Sequence, residues 1–216
     1  MVDDPLTDVD VRVLGALIEK AMTTPEYYPL SLNALANACN QSSNRDPVVQ
    51  FDEEAVAHSI ESLRRRGLVR AVKRSDSRVT KFQHIVHEAM NLDAREAAVL
   101  CVLMLRGPQT VGELKTRTAR LADFESPADT EAVLNGLIER QGDALVRRLP
   151  RRHGQKEVRY AHLLSGEVST DAPEPATVGV RADSERISAL EEAVMELTKE
   201  VSDLQTRLEA FRKQFL

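Results

Sequence analysis

Apolar and polar residues follow one another along the first 164 residues in a pattern that occurs twice. The stretch LTDVDVRVLGAL (6–17) matches LDAREAAVLCVL (92–103) at a shift of 86. Each stretch predicts a helix whose N-cap, Thr7 or Asp93, is followed three residues later by an acid that suits the positive end of a helix. The two stretches therefore predict the same opening helix in two consecutive units.

The closing part of each unit also recurs. EAVAHSIESLRRRGLVR (54–70) matches EAVLNGLIERQGDALVR (131–147) at a shift of 77. Each predicts a helix that runs into a short strand. A polar turn follows, and a second strand is expected to return at 81–86 in the first unit and at 157–164 in the second.

Each unit has room for a further short helix between its opening and closing helices. Ser31 is a suitable N-cap in the first unit, and Thr110 with Glu113 forms a capping box in the second. Three short helices followed by a β-hairpin are typical of a winged-helix domain. The predicted fold class is mainly α (α+β), with two tandem winged-helix domains at 1–88 and 89–164.

The remaining chain has a different character. Residues 165–183 are rich in proline, glycine, serine, threonine and acids, which predicts a linker. Residues 184–216 carry an unbroken heptad repeat that favours a parallel coiled coil and hence a homodimer. The alternative is an amphipathic helix that folds onto the two domains. The predicted dimer seam consists of Ile187, Leu190, Val194, Leu197, Val201, Leu204, Leu208 and Phe211.

Three motifs resemble those of a known family. They are TTPEYYPLSLNALANACNQSSNRDPV (23–48), LRGPQTVGEL (105–114) and GQKEVRYAHLL (154–164). In this order they resemble the signatures of the YceH family, a set of bacterial proteins of unknown function. The resemblance covers about residues 6–166. It implies a tandem winged-helix fold and a bacterial, cytosolic protein, and it implies no activity and no site residues.

Composition narrows the class of protein. The 216 residues are 42% hydrophobic and 29% charged, which is enough apolar material for a folded core. Two cysteines are too few for a disulfide framework, and no apolar run approaches the roughly 20 residues of a membrane span. The acidic start MVDDPLTDVD lacks the apolar segment of a signal peptide, so we expect a cytoplasmic protein.

Charge is distributed unevenly. The net charge of −5 lies entirely in residues 165–216, and residues 1–164 are balanced. Two segments, 64–81 and 145–159, are nevertheless strongly basic. Their positions predict phosphate contacts by the helix ends and wings. The predicted nucleic-acid-binding residues there are Arg64, Arg65, Arg70, Lys73, Arg74 and Arg78, with Arg147, Arg148, Arg151, Arg152, Lys156 and Arg159 in the second unit.

The third helix of a winged-helix domain commonly enters the major groove of DNA. The first predicted helix of this kind, 52–66, begins with three acids that would repel phosphates. The second, 127–140, exposes Asn135, which could read adenine. Both helices lack the exposed arginine or lysine that usually reads guanine near a helix start. The alternative explanation of the basic residues is that they accompany helix C-termini and solvated strands.

Support for catalysis is weak. There is no P-loop, GxGxxG or HExxH motif. His84, His87 and Glu88 lie close together without a cysteine, and we interpret them as the polar end of the first wing. Cys39 and Cys101 lie among apolar residues, which predicts buried, inert thiols. We therefore expect no enzyme activity, no metal and no cofactor.

The segment between the second and third helices leaves some roles open. Arg45 is either a buried anchor paired with Asp46 or Asp52, or an exposed contact. Tyr27 and Tyr28 either form a surface patch or pack between helices.

For the whole chain we expect a regulatory or architectural protein that contacts double-stranded DNA. The alternative is a protein-interaction scaffold that dimerises through its tail.

Overall fold

The structure, a computed structural model, describes residues 5–73, 79–140, 144–151 and 157–166. These ranges form a mixed α/β fold with seven α-helices, one short 3₁₀ helix and two small antiparallel sheets. The first repeat consists of α1 (Asp8–Thr23), the 3₁₀ helix (Pro25–Tyr27), β1 (Leu30–Ser31), α2 (Leu32–Cys39), α3 (Glu53–Arg65), β2 (Val69–Val72) and β3 (Lys81–His84). After α4 (Val86–Ala89), the second repeat consists of α5 (Ala94–Arg106), α6 (Val111–Thr118), α7 (Pro127–Ile138), β4 (Val146–Arg148) and β5 (Tyr160–His162). The predicted coiled-coil residues lie outside the described residues, as does the predicted linker from residue 167 onwards.

The helices whose N-caps the sequence predicts begin at those caps. Thr7 and Asp93 cap α1 and α5, and each belongs to a complete capping box. Thr110 forms the capping box of α6 with Glu113, and Ser31 caps α2 through the amide of residue 34. These bonds satisfy amide donors that a helix start leaves unpaired, which fixes the entry of the chain into each helix.

The two hairpins share one register. Val69 on β2 lies opposite His84 on β3, and Val146 on β4 lies opposite His162 on β5. β1 adds a third strand to the first sheet, and in the second repeat Gln109 makes the corresponding pairing with both backbone groups of Tyr160. Neither of these additional pairings is predicted from the sequence, because both are too short to give a strand pattern.

The returning strands are shorter than predicted. β3 ends at residue 84 rather than 86, and β5 covers 160–162 rather than 157–164. In the first hairpin the Ile85 amide still donates to Leu68, and in the second the Leu163 amide donates to Leu145, both at 2.9 Å. In the first repeat the chain then turns directly into α4. Val86, an apolar residue predicted to end the strand, therefore starts a helix.

One hydrophobic core runs through both repeats. α1 and α5 cross closely at Gly15, whose carbonyl accepts a hydrogen bond from the Cys101 thiol at 3.4 Å. A Cβ atom at Gly15 would lie 3.0 Å from Leu105, so the crossing depends on the absence of a side chain there. The Leu6 amide also donates to the Leu164 carbonyl at 2.8 Å. Both repeats thus belong to a single compact unit.

Candidate functional site

Basic side chains line the first hairpin. On β2, Val69 is buried and Arg70 is exposed, and Lys73 at the end of the strand is exposed too. With the Gln83 amide turned so that its oxygen faces Arg70, that oxygen accepts from Nη2 and Nε at 2.7 and 2.8 Å. The neighbouring strand thereby holds Arg70 in place at the hairpin surface.

The last turn of α3 adds two exposed arginines, Arg64 and Arg65. Arg64 is paired with Glu61 at 2.7 Å, and its side chain remains 42% exposed. Arg74 and Arg78, which the sequence also predicts as contacts, lie outside the described residues. The described part of this surface therefore carries four exposed basic side chains, Arg64, Arg65, Arg70 and Lys73.

The second hairpin repeats the arrangement. Val146 is buried, and Arg147, Arg148 and Arg151 after it are exposed. Arg159 on the returning segment is half-buried and donates to the Pro108 carbonyl at 3.4 Å. Arg152 and Lys156 lie outside the described residues. Arg70 and Arg147 occupy equivalent places, each directly after the buried valine that pairs with a histidine.

The helix surfaces differ from the hairpins in charge. Asp52 caps α3 through the amide of residue 55, Glu53 accepts from Asn33 of α2 at 2.8 Å, and Glu54 is exposed. The start of α3 is thus acidic, as the sequence predicts. Asn135 is exposed on α7, which confirms its predicted position on the surface but not a role.

A second polar cluster lies inside the fold, around Arg45. Its side chain is completely buried, and Nη2 binds Glu19 Oε2 of α1 at 2.6 Å. The same guanidinium donates to the Ala38 carbonyl at 2.7 Å and to Gln41 at 3.1 Å. The prediction that Arg45 is a buried anchor is correct, but the predicted partners are wrong. Asp52 is used as the cap of α3, and the carboxylate that pairs with Arg45 comes from 26 residues earlier in the chain.

Arg12 anchors the same loop from the other side. Its two Nη atoms donate to the carbonyls of Cys39 at 3.2 Å and Pro47 at 2.6 Å. Burial, followed by the positive charge of Arg45, lowers the pKa of the Arg12 guanidinium. The buried side chain stays in place because it satisfies carbonyl groups that the irregular loop would otherwise leave unpaired.

The second repeat also contributes to this cluster. Arg120 pairs with Glu19, and Arg106 at the end of α5 donates to the side-chain oxygen of Asn44. Burial opposes ionisation of Glu19, but the hydrogen bond and charge of Arg45 and the charge of Arg120 hold the pKa of Glu19 below its ordinary value. Glu19 therefore remains an anion shared by the two repeats.

The cluster around Arg45 and Glu19 is not predicted from the sequence, although the sequence contains a signal for it. At the shift of 86 that relates the opening helices, Glu19 aligns with Leu105 and Arg12 aligns with Ala98. Charged residues at positions that are apolar in the second copy indicate buried polar groups with special partners. The sequence does not show which partners these are, because they lie on other elements.

Two histidines occupy equivalent interior positions, His84 on β3 and His162 on β5. Nδ1 of each is buried without a hydrogen-bond partner. Burial lowers the pKa of His84 to about 4, with a smaller contribution from His87, and burial lowers the pKa of His162 to about 4 as well. His84 is thus not the polar end of a wing, since its ring is buried beside Tyr28, whose hydroxyl accepts from the His84 amide at 2.7 Å.

Other candidate groups prove structural or isolated. Both cysteines are buried free thiols, and burial raises the pKa of Cys39 to about 12 and that of Cys101 further still. Tyr27 is 71% exposed, whereas Tyr28 packs beside the buried ring of His84, so only one of the two tyrosines lies at the surface. Among the described residues, no group of three or more acids, histidines and cysteines is arranged to hold a metal ion. In the same part of the chain, no helix is both long and apolar enough to cross a bilayer.

The fold thus defines a mixed α/β protein made of two helix and hairpin repeats around one core. A family model described as "Protein of unknown function, DUF480" matches residues 6–155, and the chain belongs to this family. It is 51% identical to a UPF0502 protein of Pelobacter propionicus, over 97% of this chain and 98% of the relative. It is 54% identical to a UPF0502 protein of Opitutus terrae, over 81% and 77% of the two chains. A UPF0502 protein of Vibrio atlanticus is 42% identical over 95% and 97%. These matches confirm the family indicated by the sequence motifs.

Proposed function

We propose that this protein is a DNA-binding protein of regulatory or architectural type, without catalytic activity, that grips duplex backbone phosphates with its two basic hairpins. The observation that carries the proposal is the equivalent placement of Arg70 and Arg147. Each is exposed and follows a buried valine, so both hairpins present a guanidinium at the same register. Guanidinium groups bind phosphate oxygens through a fork of parallel donors.

The order of elements supports the same proposal. Each repeat has three helices, then a hairpin, with a short third pairing at Leu30 or Gln109 beside the returning strand. This order is typical of winged-helix domains, in which the hairpin wing contacts the nucleic-acid backbone. We accordingly assign two winged-helix domains, 1–88 and 89–164, to the single compact unit.

The acidic start of α3 supports backbone binding over base readout. Glu53 is held by Asn33, and Glu54 next to it is exposed, so carboxylates stand where a recognition helix would approach the major groove. Acids at that place repel phosphates. Binding through the hairpins therefore has little dependence on base sequence.

Fluorescence anisotropy with a labelled random-sequence duplex tests the proposal. Affinity should fall steeply between about 50 and 200 mM salt, since each neutralised phosphate releases counterions. Arg148→Gln should reduce the slope of log K against log salt by about 0.9. Lys115→Gln on α6 removes one positive charge away from the hairpins and should leave the slope unchanged.

Two results would contradict the proposal. One is the absence of duplex binding at about 50 mM salt, which would favour the protein-interaction scaffold. The other is an equal change of slope in Arg148→Gln and Lys115→Gln, which would indicate a general effect of net charge. Asn135→Ala should leave the affinity unchanged if backbone contacts carry the binding.

We further infer from the heptad pattern of 184–216 that two copies pair through a coiled coil. Val201 occupies a central a position, so Val201→Asp places a charge in the seam and should convert a dimer into a monomer in sedimentation at tens of micromolar. Thr206→Asp adds the same charge at an outward f position and should leave the dimer intact. A monomeric wild-type chain at that concentration would exclude the coiled coil.

A further inference from the structure

We propose that Arg106, Arg117 and Arg120 form a binding site for a phosphate group at the junction of the two repeats. This site is separate from the hairpins, and the proposal does not rest on DNA binding. It rests on the arginines that end α5 and α6 and on the loop of the first repeat that they meet.

A continuous chain of contacts joins two of these arginines. Arg106 donates to the side chain of Asn44, whose backbone carbonyl accepts from Arg45 at 3.0 Å. Arg45 binds one oxygen of Glu19, and Arg120 binds the other. Arg106 and Arg120 therefore lie at the two ends of one chain of contacts that runs through Asn44, Arg45 and Glu19.

Arg117 completes the group from the last turn of α6, one turn before Arg120. It pairs with Glu113 at 3.4 Å, and its side chain is 32% exposed. The side chain of Arg120 is 45% exposed. An anion can therefore reach both guanidiniums from solvent, while the Arg106 side chain forms the half-buried inner part of the site.

Positive charge exceeds negative charge here. Glu19 is shared between Arg45 and Arg120, and Glu113 serves Arg117. Arg106 has an amide oxygen, not a carboxylate, as its acceptor. Burial, followed by the charges of Arg117 and Arg120, lowers the pKa of Arg106, and Asp46 opposes this only in part. A half-buried positive charge whose acceptor is not an acid, as at Arg106, raises the free energy of the folded state, and a bound anion would lower that cost.

The chemistry favours a phosphate group over a carboxylate. Three guanidiniums offer planar forks of donors, and a phosphate has several oxygens and close to two negative charges for them. The phosphate could belong to a small phosphorylated molecule or to a nucleic-acid backbone. Both sources share this chemistry, and the experiment below separates them.

Thermal unfolding of the full chain in inorganic phosphate and in pyrophosphate, against chloride at equal ionic strength, tests the site. A ligand at about ten times its Kd should raise the Tm of the wild type by roughly 3–6 °C. Arg117→Gln should abolish most of this rise, because it removes one of the three forks. Lys115→Gln, on the same helix and equal in charge change, should keep it. Lys115 is not among the charges that shift the pKa of Arg106.

An equal rise of Tm in the wild type, Arg117→Gln and Lys115→Gln would overturn the proposal, since it would reflect general anion stabilisation. The absence of any rise in the wild type would overturn it too. Arg106→Gln should act like Arg117→Gln. If that variant does not fold, titration calorimetry of Arg117→Gln with pyrophosphate decides the question alone, because Arg117 is partly exposed and its loss leaves the Glu19 cluster intact.

Duplex binding then identifies the source of the phosphate. If the site holds a backbone phosphate, Arg117→Gln lowers the salt slope of duplex binding by about 0.9. If the site holds a small phosphorylated molecule, the slope is unchanged while the Tm response to pyrophosphate is lost. Failure of the hairpin proposal would instead appear as no duplex binding by the wild type, which leaves the pyrophosphate result valid.

Discussion

The opening helices of the two repeats occupy equivalent places but bury different side chains. α1 buries Asp10, Arg12 and Glu19 among its apolar residues, whereas the buried residues of α5 are all apolar. At the shift that aligns them, Glu19 corresponds to Leu105 and Arg12 to Ala98. Both helices begin with a capping box and pack against each other in the common core. Equivalent positions of the two opening helices therefore hold buried charged side chains in the first repeat and apolar side chains in the second.

The loops that follow explain this difference. In the first repeat 13 residues, 40–52, join α2 to α3, whereas eight residues, 119–126, join α6 to α7. The longer loop is irregular, and Arg12 and Arg45 bind the carbonyls of residues 38 and 39 in the last turn of α2 and those of residues 44 and 47 in the loop. A long loop held against the core needs internal donors for its carbonyl groups, because buried polar groups without partners are costly. The buried charges of Arg12 and Glu19 thus serve the loop, whereas Asp10 accepts from Ser59 of α3.

The largest expected effect comes from breaking this arrangement at Arg45. Arg45→Met should lower the free energy of unfolding by about 3–5 kcal/mol, because it leaves Glu19 and the carbonyls of residues 38 and 44 without their buried partner. Urea unfolding followed by circular dichroism measures it. Leu105→Met, at the position that matches Glu19 in the second repeat, should cost less than about 1.5 kcal/mol.

The double variant Glu19→Leu/Arg45→Met sharpens the comparison, because it replaces the buried ion pair of the first repeat by apolar side chains, as at Leu105 in the second. It should be more stable than Arg45→Met alone, since no unpaired carboxylate remains. If the double variant instead loses as much free energy of unfolding as Glu19→Leu and Arg45→Met together, the ion pair does not couple the two residues energetically.

The next effect concerns a feature that the repeats share, a histidine on the returning strand whose Nδ1 is buried without a hydrogen-bond partner. The pKa of His84 and that of His162 lie at about 4 in the folded protein, below the ordinary value of 6.5. Between these values the unfolded chain binds protons that the folded chain does not, so stability falls as the pH drops from about 6.5 to about 4. We expect a loss of roughly 3 kcal/mol per histidine at the acid end.

Urea unfolding at several pH values measures this loss. His84→Gln and His162→Gln should each reduce the pH dependence of the free energy of unfolding by a similar amount. The two histidines occupy the same register in their hairpins, and burial is the main cause of the pKa shift in both. A flat profile in the wild type between pH 6.5 and 4, or a flattening by one variant alone, would show that the two interiors differ more than their geometry indicates.

The smallest expected effect tests the helix starts. Thr7→Ala and Asp93→Ala each remove the side chain that caps an equivalent helix, and each should cost about 1 kcal/mol. Thermal unfolding of both variants measures it. Because both caps lie in complete capping boxes, the two losses should be alike, and a clear inequality would mean that one helix end is held mainly by tertiary contacts.

Features set by neighbouring residues are predictable from this sequence. The N-caps at Thr7, Asp93 and Thr110 follow from local residue patterns, and the structure has them all. The buried state of Cys39 and Cys101 follows from apolar surroundings in sequence. These predictions succeed because helix starts and apolar periodicity depend on contacts within a few residues.

Features set by distant residues are not predictable in this way. Arg45 has several acids nearby in sequence, and its actual partner Glu19 is brought to it by the packing of α1 against the loop. His84 has the polar neighbours His87 and Glu88 in sequence, yet its ring faces the interior. β1 has two residues, too few for a periodic signal. The basic residues of the hairpins were predicted from the charge of segments 64–81 and 145–159, and Arg70, Lys73, Arg147, Arg148 and Arg151 are exposed in the structure.

The crossing of α1 and α5 at Gly15 has a consequence for how the hairpins can act together. Because one core and the bond between Leu6 and Leu164 join the repeats, the two hairpins have a fixed separation. When two binding elements are part of one rigid body, the translational and rotational entropy is lost once, when the first element binds. The second then binds at a high effective concentration if the spacing of phosphates matches, and gains nothing if it does not. If the hairpins bind duplex phosphates as proposed, this frame makes the shape and bending of the duplex, rather than its base sequence, the property that the protein selects.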